Sequence, residues 1–246
     1  MNRMENEEME HFVTCGEMKL LERRADENGL SYYQMMENAG TQAAKMIRAY
    51  CDMAGLKLGE TAEAPGCAVI FCGSGNNGGD GFVVARLLAQ TGCSVRIVLV
   101  NGKPKTEDAS TNFNMLQDLP VDIVFMQETE DDMPEQNEAA DLFVDAMFGT
   151  GFHGTLKGNA LKAAAYMNSC RQKFGTKVFA LDIPSGLGGD QLRSAKTPQQ
   201  TVRADCTITF HARKPVHVRK FAAEYCGRIL VADIGIDEEK LMRVEI

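Results

Sequence analysis

The chain has 246 residues, 44% of them hydrophobic, and a formal net charge of −8. This is enough apolar material for one substantial core, so a single domain over 1–246 is expected. The acidic balance and the lack of a basic cluster argue against nucleic acid as the main partner, and no apolar stretch approaches the ~20 residues that span a bilayer.

The first ten residues, MNRMENEEME, are acidic and lack an apolar run, which fits neither a secretory signal nor an Arg/Ser-rich transit peptide. Eight cysteines occur, at 15, 51, 67, 72, 93, 170, 206 and 226, without any C-x-x-C pair. That spacing points away from zinc and toward free thiols acting as small hydrophobes. A reducing, cytoplasmic compartment is the corresponding expectation. His11, His153, His211 and His217 are too scattered for a metal site read from spacing, although His211 and His217 flank a basic loop that could touch a ligand.

In chain order, the first pattern is helical. Tyr32, Met35, Met36, Ala39, Ala43, Met46 and Ile47 recur at three- and four-residue steps, and Ser31 with Gln34 has the spacing of a capping box. Runs rich in Val, Ile and Phe then alternate with helical stretches, and strands are expected near 67–72, 94–100, 121–126, 141–147, 177–182, 205–210 and 228–233. Such alternation predicts an α/β fold with a mostly parallel sheet and helices on both faces. The acidic run 127–141 reads as a solvated loop and helix start, and the polar run 186–203 as a loop that covers the edge of a site or carries a short helix. Neither an internal repeat nor a low-complexity segment is visible.

In an open α/β sheet, ligands bind beyond the carboxyl ends of the strands. Three such ends stand out. The first, CGSGNNGGDG at 72–81, follows a strand with a glycine loop that enters a helix, whose N-terminal amides can receive a phosphate or pyrophosphate. Asn76, Asn77 and Asp80 add amides and a carboxylate suited to a sugar, a carboxamide or a cation. The second, LFVDAMFGTGFHGTL at 142–156, closes a strand with Asp145 and continues into another glycine-rich loop. The third, VFALDIPSGLGGD at 178–190, closes a strand with Asp182 before a Pro184-Ser185-Gly186 turn.

Gly73-x-Gly75-x-x-Gly78 matches a dinucleotide fingerprint, but the following strand ends at Asn101 instead of the acid that a dehydrogenase uses on the ribose. An ordinary nicotinamide dehydrogenase is thereby disfavoured. Asp145 could cap a helix or fix a turn. Together with Asn77, Ser185 and backbone carbonyls it could instead hold a hard monovalent or divalent cation. Asp182 is the best candidate for proton transfer, with a capping role as the alternative.

These residues resemble those of the NAD(P)H-hydrate epimerases, the YjeF N-terminal domain family. The resemblance runs through YYQMMENAG at 32–40, CGSGNNGGDGFVVAR at 72–86, VDAMFGTGFHG at 144–154, LDIPSG at 181–186, ADCTITFHARKP at 204–215 and VADIGI at 231–236, in the family's order. It implies a three-layer α/β/α Rossmann-like fold with N-terminal helices, a homodimer, and interconversion of the R and S forms of hydrated NADH and NADPH. It also implies that substrate lies against Asn76, Asn77, Gly78, Gly79 and Asp80, against Gly149, Thr150, Gly151, Phe152, His153, Gly154 and Thr155, and against Asp182, which is the catalytic residue. One potassium ion per subunit, held by Asn77, Asp145 and Ser185, belongs to the same expectation, as does functional coupling to a separate ADP- or ATP-dependent dehydratase. No redox cofactor is consumed.

Three positions depart from the family pattern: Ser74 and Arg213 stand where proline is commoner, and LGGDQL follows LDIPSG in place of an Asn-Ala-Asp-x-Gly type of run. An alternative class is a nucleotide-binding or scaffold module on the same fold, which would have no use for Asp80, Asp145 and Asp182 beside two glycine loops.

Overall fold

A computed structural model describes residues 12–56, 58–59, 66–126, 140–193 and 201–243. Two helices come first, α1 (Cys15–Glu27) and α2 (Tyr32–Met53). Then β1 (Cys67–Cys72), α3 (Asn76–Ala89), β2 (Ser94–Leu99), α4 (Glu107–Asn114) and β3 (Val121–Phe125) follow. The second half carries β4 (Leu142–Ala146), α5 (Gly158–Phe174), β5 (Lys177–Leu181), β6 (Cys206–Phe210), the short α6 (Ala223–Cys226), β7 (Arg228–Ala232) and α7 (Glu238–Arg243).

All seven strands pair in parallel, in the order β3-β2-β1-β4-β5-β6-β7. The expected α/β/α Rossmann-like architecture is therefore present, each strand lying within a residue or so of its sequence-derived limits. Chain order reverses between β1 and β4. A crevice opens at such a switch point because the connections leaving the two strands depart to opposite sides.

Alternation along the strands explains the layers. In β1, Ala68, Ile70 and Cys72 join the apolar cluster under α2 and α3, whereas Val69 and Phe71 join the cluster under α5 with Ala160, Ala163 and Met167. Both faces are covered, which is why these strands read as nearly continuous apolar runs.

Helix starts show where local sequence rules suffice. Thr14 and Glu17 form a full capping box at α1, an arrangement also legible as T-x-x-E but not singled out from the sequence. At α2 the expected box is only half made. Ser31 accepts the Gln34 amide N–H, but the Gln34 side chain donates to Asn38 instead of turning back. Asn38 is fixed by its own bond to the Ile234 carbonyl, which leaves its side-chain oxygen one helical turn above Gln34 as a nearer acceptor.

All eight cysteines are free, and six of them are buried, as hydrophobic usage predicts. The run 127–139 and His11 lie outside the described residues. No helix among the described residues is long and apolar enough to cross a membrane.

Candidate active site

A cleft of about 970 Å³ opens over the carboxyl ends of β1, β4 and β5. Its floor begins at the glycine loop after β1. Gly75 is the N-terminal cap residue of α3 and offers no side-chain cap, so the first-turn amides face the cleft without an internal acceptor.

Gly73 and Gly78 are required by close approach. A Cβ at Gly73 would run into the Met147 carbonyl after β4, and one at Gly78 would run into the Gly73 carbonyl. Both obstacles are backbone and cannot swing aside. Gly78→Ala should therefore lower stability by about 1–3 kcal/mol, read as a drop in the urea midpoint. An unchanged midpoint would show that this loop can relax.

Asp182 organises the opposite wall. It leaves β5 with φ +62°, a left-handed conformation uncommon outside glycine but better tolerated by Asp and Asn. The turn is tight, since the Ile183 amide reaches back to the Leu181 carbonyl while the Asp182 amide bonds Ile208 on β6. His211, just past β6, repeats the geometry with φ +65°.

The Asp182 carboxylate is fully engaged. Oδ1 lies 2.7 Å from the Lys214 ammonium and accepts the Thr209 hydroxyl at 3.2 Å, while Oδ2 accepts the Thr150 amide at 3.0 Å. Lys214, only 1% exposed, donates also to Thr209 Oγ1 and to the Phe210 carbonyl. Burial alone would raise the Asp182 pKa, but the Lys214 charge and these hydrogen bonds outweigh it and hold the carboxyl below its usual range. His217 accepts the Lys214 amide N–H, and its imidazole, pushed down to about 4 chiefly by burial, stays neutral.

Asp80, 8% exposed, behaves differently. Burial, then the Asp182 and Glu22 carboxylates, push its pKa well above the ordinary value. The pKa values of two carboxyls of one cleft are thus pushed in opposite directions.

Beneath the cleft floor, Asp145 and Ser185 bond each other. Ser185 Oγ donates to Asp145 Oδ1 at 2.7 Å, the Ser185 amide donates to Oδ2, and the Phe148 amide donates to Ser185 Oγ. Burial raises the Asp145 pKa to about 6 against these hydrogen bonds. Asn77 lies beside Gly149 and Asp182: a Cβ on Gly149 would touch both Asp182 Oδ2 and Asn77 Oδ1. The Asn77 Nδ2 is buried and has no hydrogen-bond partner among the described residues. Among the described residues no cluster of three or more His, Cys, Asp or Glu could hold a metal ion.

Of the residues singled out from the sequence, Asn76, Asn77, Asp80, Gly149, Thr150, Gly151, Phe152, His153 and Asp182 line the cleft. Gly78 and Gly79 sit just behind it in the first turn of α3, where a Cβ on Gly79 would meet Met36. Gly154 and Thr155 lie exposed beyond its lining. His211 pairs with Glu238 instead of facing the cleft. Asp190 lines the rim and accepts the Cys15 amide, tying the substituted LGGDQL turn to the start of α1.

The Lys214–Asp182 pair, Thr209 and Glu22 were not assigned roles from the sequence. Lys214 and Thr209 left a trace in the TITFHARKP run, whereas Glu22 on α1 left none.

Comparison with known proteins adds a further line. Residues 32–216 match the family model described as YjeF-related protein N-terminus. The NAD(P)H-hydrate epimerase of Roseobacter litoralis is 34% identical over 93% of this chain and 100% of its own length. The bifunctional NAD(P)H-hydrate repair enzyme Nnr of Archaeoglobus fulgidus is 37% identical over 92% of this chain, which spans only 42% of that longer protein. In three dimensions the chain resembles yeast ynu0, with a TM-score of 0.70 at 20% identity over 90% of this chain and 87% of that one, a likeness of fold. The ordered motifs, the match over 32–216 and the full-length relative agree, and the chain belongs to the YjeF-related protein N-terminus family.

Proposed function

We propose that the protein is an isomerase that interconverts the R and S forms of hydrated NADH and NADPH. The observation that carries this reading is Asp182: a buried carboxylate in a left-handed turn, held ionised by Lys214 and Thr150 at the mouth of a dinucleotide-sized cleft. A scaffold gains nothing from such a group. Like-named relatives with matching sequences support the same reading.

In the hydrate, a hydroxyl sits on the ring carbon next to nitrogen. Protonation of that hydroxyl lets the nitrogen lone pair expel water and leaves a planar iminium, to which water returns from either face. Resting Asp182 is a base, so it takes the proton of the incoming water and returns it as an acid on the reverse leg. The α3 amides and the Gly149–Thr155 loop would hold the diphosphate and ring still while this occurs. Ring opening and reclosure is a second route to the same products.

Asn77, Asp145 and Ser185 fit a potassium ion. Each side chain offers an oxygen, and a single carboxylate matches a single positive charge. The ion would supply fixed positive charge near the ligand. A homodimer, a cytoplasmic setting and a dehydratase partner complete the proposal; the bifunctional relatives carry the repair name on one longer chain.

The test is a coupled assay on mixed hydrates. After an S-specific dehydratase with its nucleotide has exhausted the S form, adding this protein should restart the rise in NAD(P)H absorbance, faster in potassium than in a bulky organic cation. No rise from a folded protein that still binds the hydrate would leave the binding-module reading in its place.

A further inference from the structure

Beside the main cleft lies a recess of about 70 Å³ lined by Glu22, Tyr32, Met36, Asn76, Asp80 and Phe210. Glu22 and Asp80 line both the recess and the cleft, whereas Asp182 lines only the cleft. Asp80 is more than nine-tenths buried, and its side chain lines the space that the recess and the cleft share. Glu22 comes from α1, outside residues 32–216 that match the family model.

The reaction needs a proton donor that Asp182 does not provide at rest, because both its oxygens already accept bonds from Lys214, Thr209 and Thr150. Water must leave from one face of the ring and return to the other, which is served by two groups reaching the ring from different parts of the cleft.

We propose that Glu22 is a second catalytic residue, giving the proton that releases water from the hydrate while the Asp80 carboxyl beside it hydrogen-bonds the substrate in the recess. This rests on the epimerase reading. The Glu22 O–H bond breaks as its proton joins the substrate hydroxyl. The C–O bond then breaks with its electrons leaving on water, and the nitrogen lone pair forms C=N. When water adds to the other face, its proton passes to the Asp182 carboxylate and the C=N electrons return to nitrogen. No oxidant or reductant is needed, proton exchange with solvent water returns Glu22 to the acid and Asp182 to the carboxylate before the next turnover, and the opposite direction exchanges the two carboxyls' roles.

Glu22 is suited to this exchange. Burial, then Asp182, raise its pKa to about 7 against Lys214 and Lys19. The charged and titratable groups around it are Lys19 on its own helix, Tyr32 on α2, Asp80 on α3, Asp182 after β5 and Lys214 after β6.

The test pairs activity with a direct titration. In Glu22→Gln, kcat should fall roughly 100-fold or more, KM should change little, and the limb of the pH profile near neutrality should disappear. In wild type labelled with carboxyl-13C glutamate, one glutamate should titrate near neutrality, and its signal should be missing in the variant. Wild-type activity with an unaltered rate and profile in Glu22→Gln overturns the proposal, as does the absence of any glutamate titrating near neutrality in folded wild type. A wild type with that titration but no epimerisation removes the function reading and, with it, the catalytic role.

Discussion

Asp182→Asn should reduce epimerisation by about 10²- to 10⁴-fold while preserving the backbone turn. Asparagine tolerates the left-handed conformation at φ +62°, so the loss would come from chemistry and not from a displaced loop. The carboxamide cannot serve as the base for incoming water, and it leaves the 1%-exposed Lys214 ammonium without its counter-charge. Removing one member of a buried pair costs about 3–5 kcal/mol, so the denaturant midpoint should fall as well.

The pH dependence of that stability has a definite sign. The folded pKa of Asp182 is depressed, so its contribution is fully present above the unfolded value of about 3.9 and is lost as pH falls through the folded value. The wild-type advantage over Asp182→Asn should accordingly hold at neutral pH and shrink only below about pH 4. A variant retaining more than a tenth of wild-type kcat would remove Asp182 from the chemistry.

Lys214→Met should have an effect of similar size with a different signature. Methionine fills the same volume of apolar stem but leaves Asp182 with only Thr209 and the Thr150 amide as partners. Burial, the largest influence on this carboxyl, would then prevail and carry its pKa upward. Stability should fall by about 3–5 kcal/mol. Residual activity should also require more alkaline pH, because the base must be ionised to act. A Lys214→Met enzyme whose rate falls with an unshifted pH profile would reduce Lys214 to a packing role.

The parallel sheet was legible because strands covered on both faces are apolar throughout, and helices between them carry three- and four-residue spacing. CAVIFC and LFVDA are recognisable for that reason alone. The expected strand 177–182 overruns β5 by one residue: Asp182 belongs to a tight turn, which depends on its bond to Ile208 on a neighbouring strand. Similarly, Ser31-x-x-Gln34 has the letters of a capping box, but Asn38, anchored 196 residues away on Ile234, draws the glutamine off.

For the site, sequence alone determined which residues stand at strand ends. Position after a strand is a local property, and Asn77, Asp80, Asp145 and Asp182 could be named from it. Sequence did not determine the protonation of these groups. Asp80 and Asp182 are both aspartates after or near apolar strands, yet one is driven toward the neutral acid and the other toward the carboxylate. Burial raises both; at Asp182 it is outweighed by Lys214, 32 residues further on, whereas at Asp80 the Asp182 carboxylate and then Glu22, 58 residues before it, add to it. Only folding brings those charges together out of water, where Coulomb interactions and desolvation are large enough to push the two carboxyls' pKa values in opposite directions.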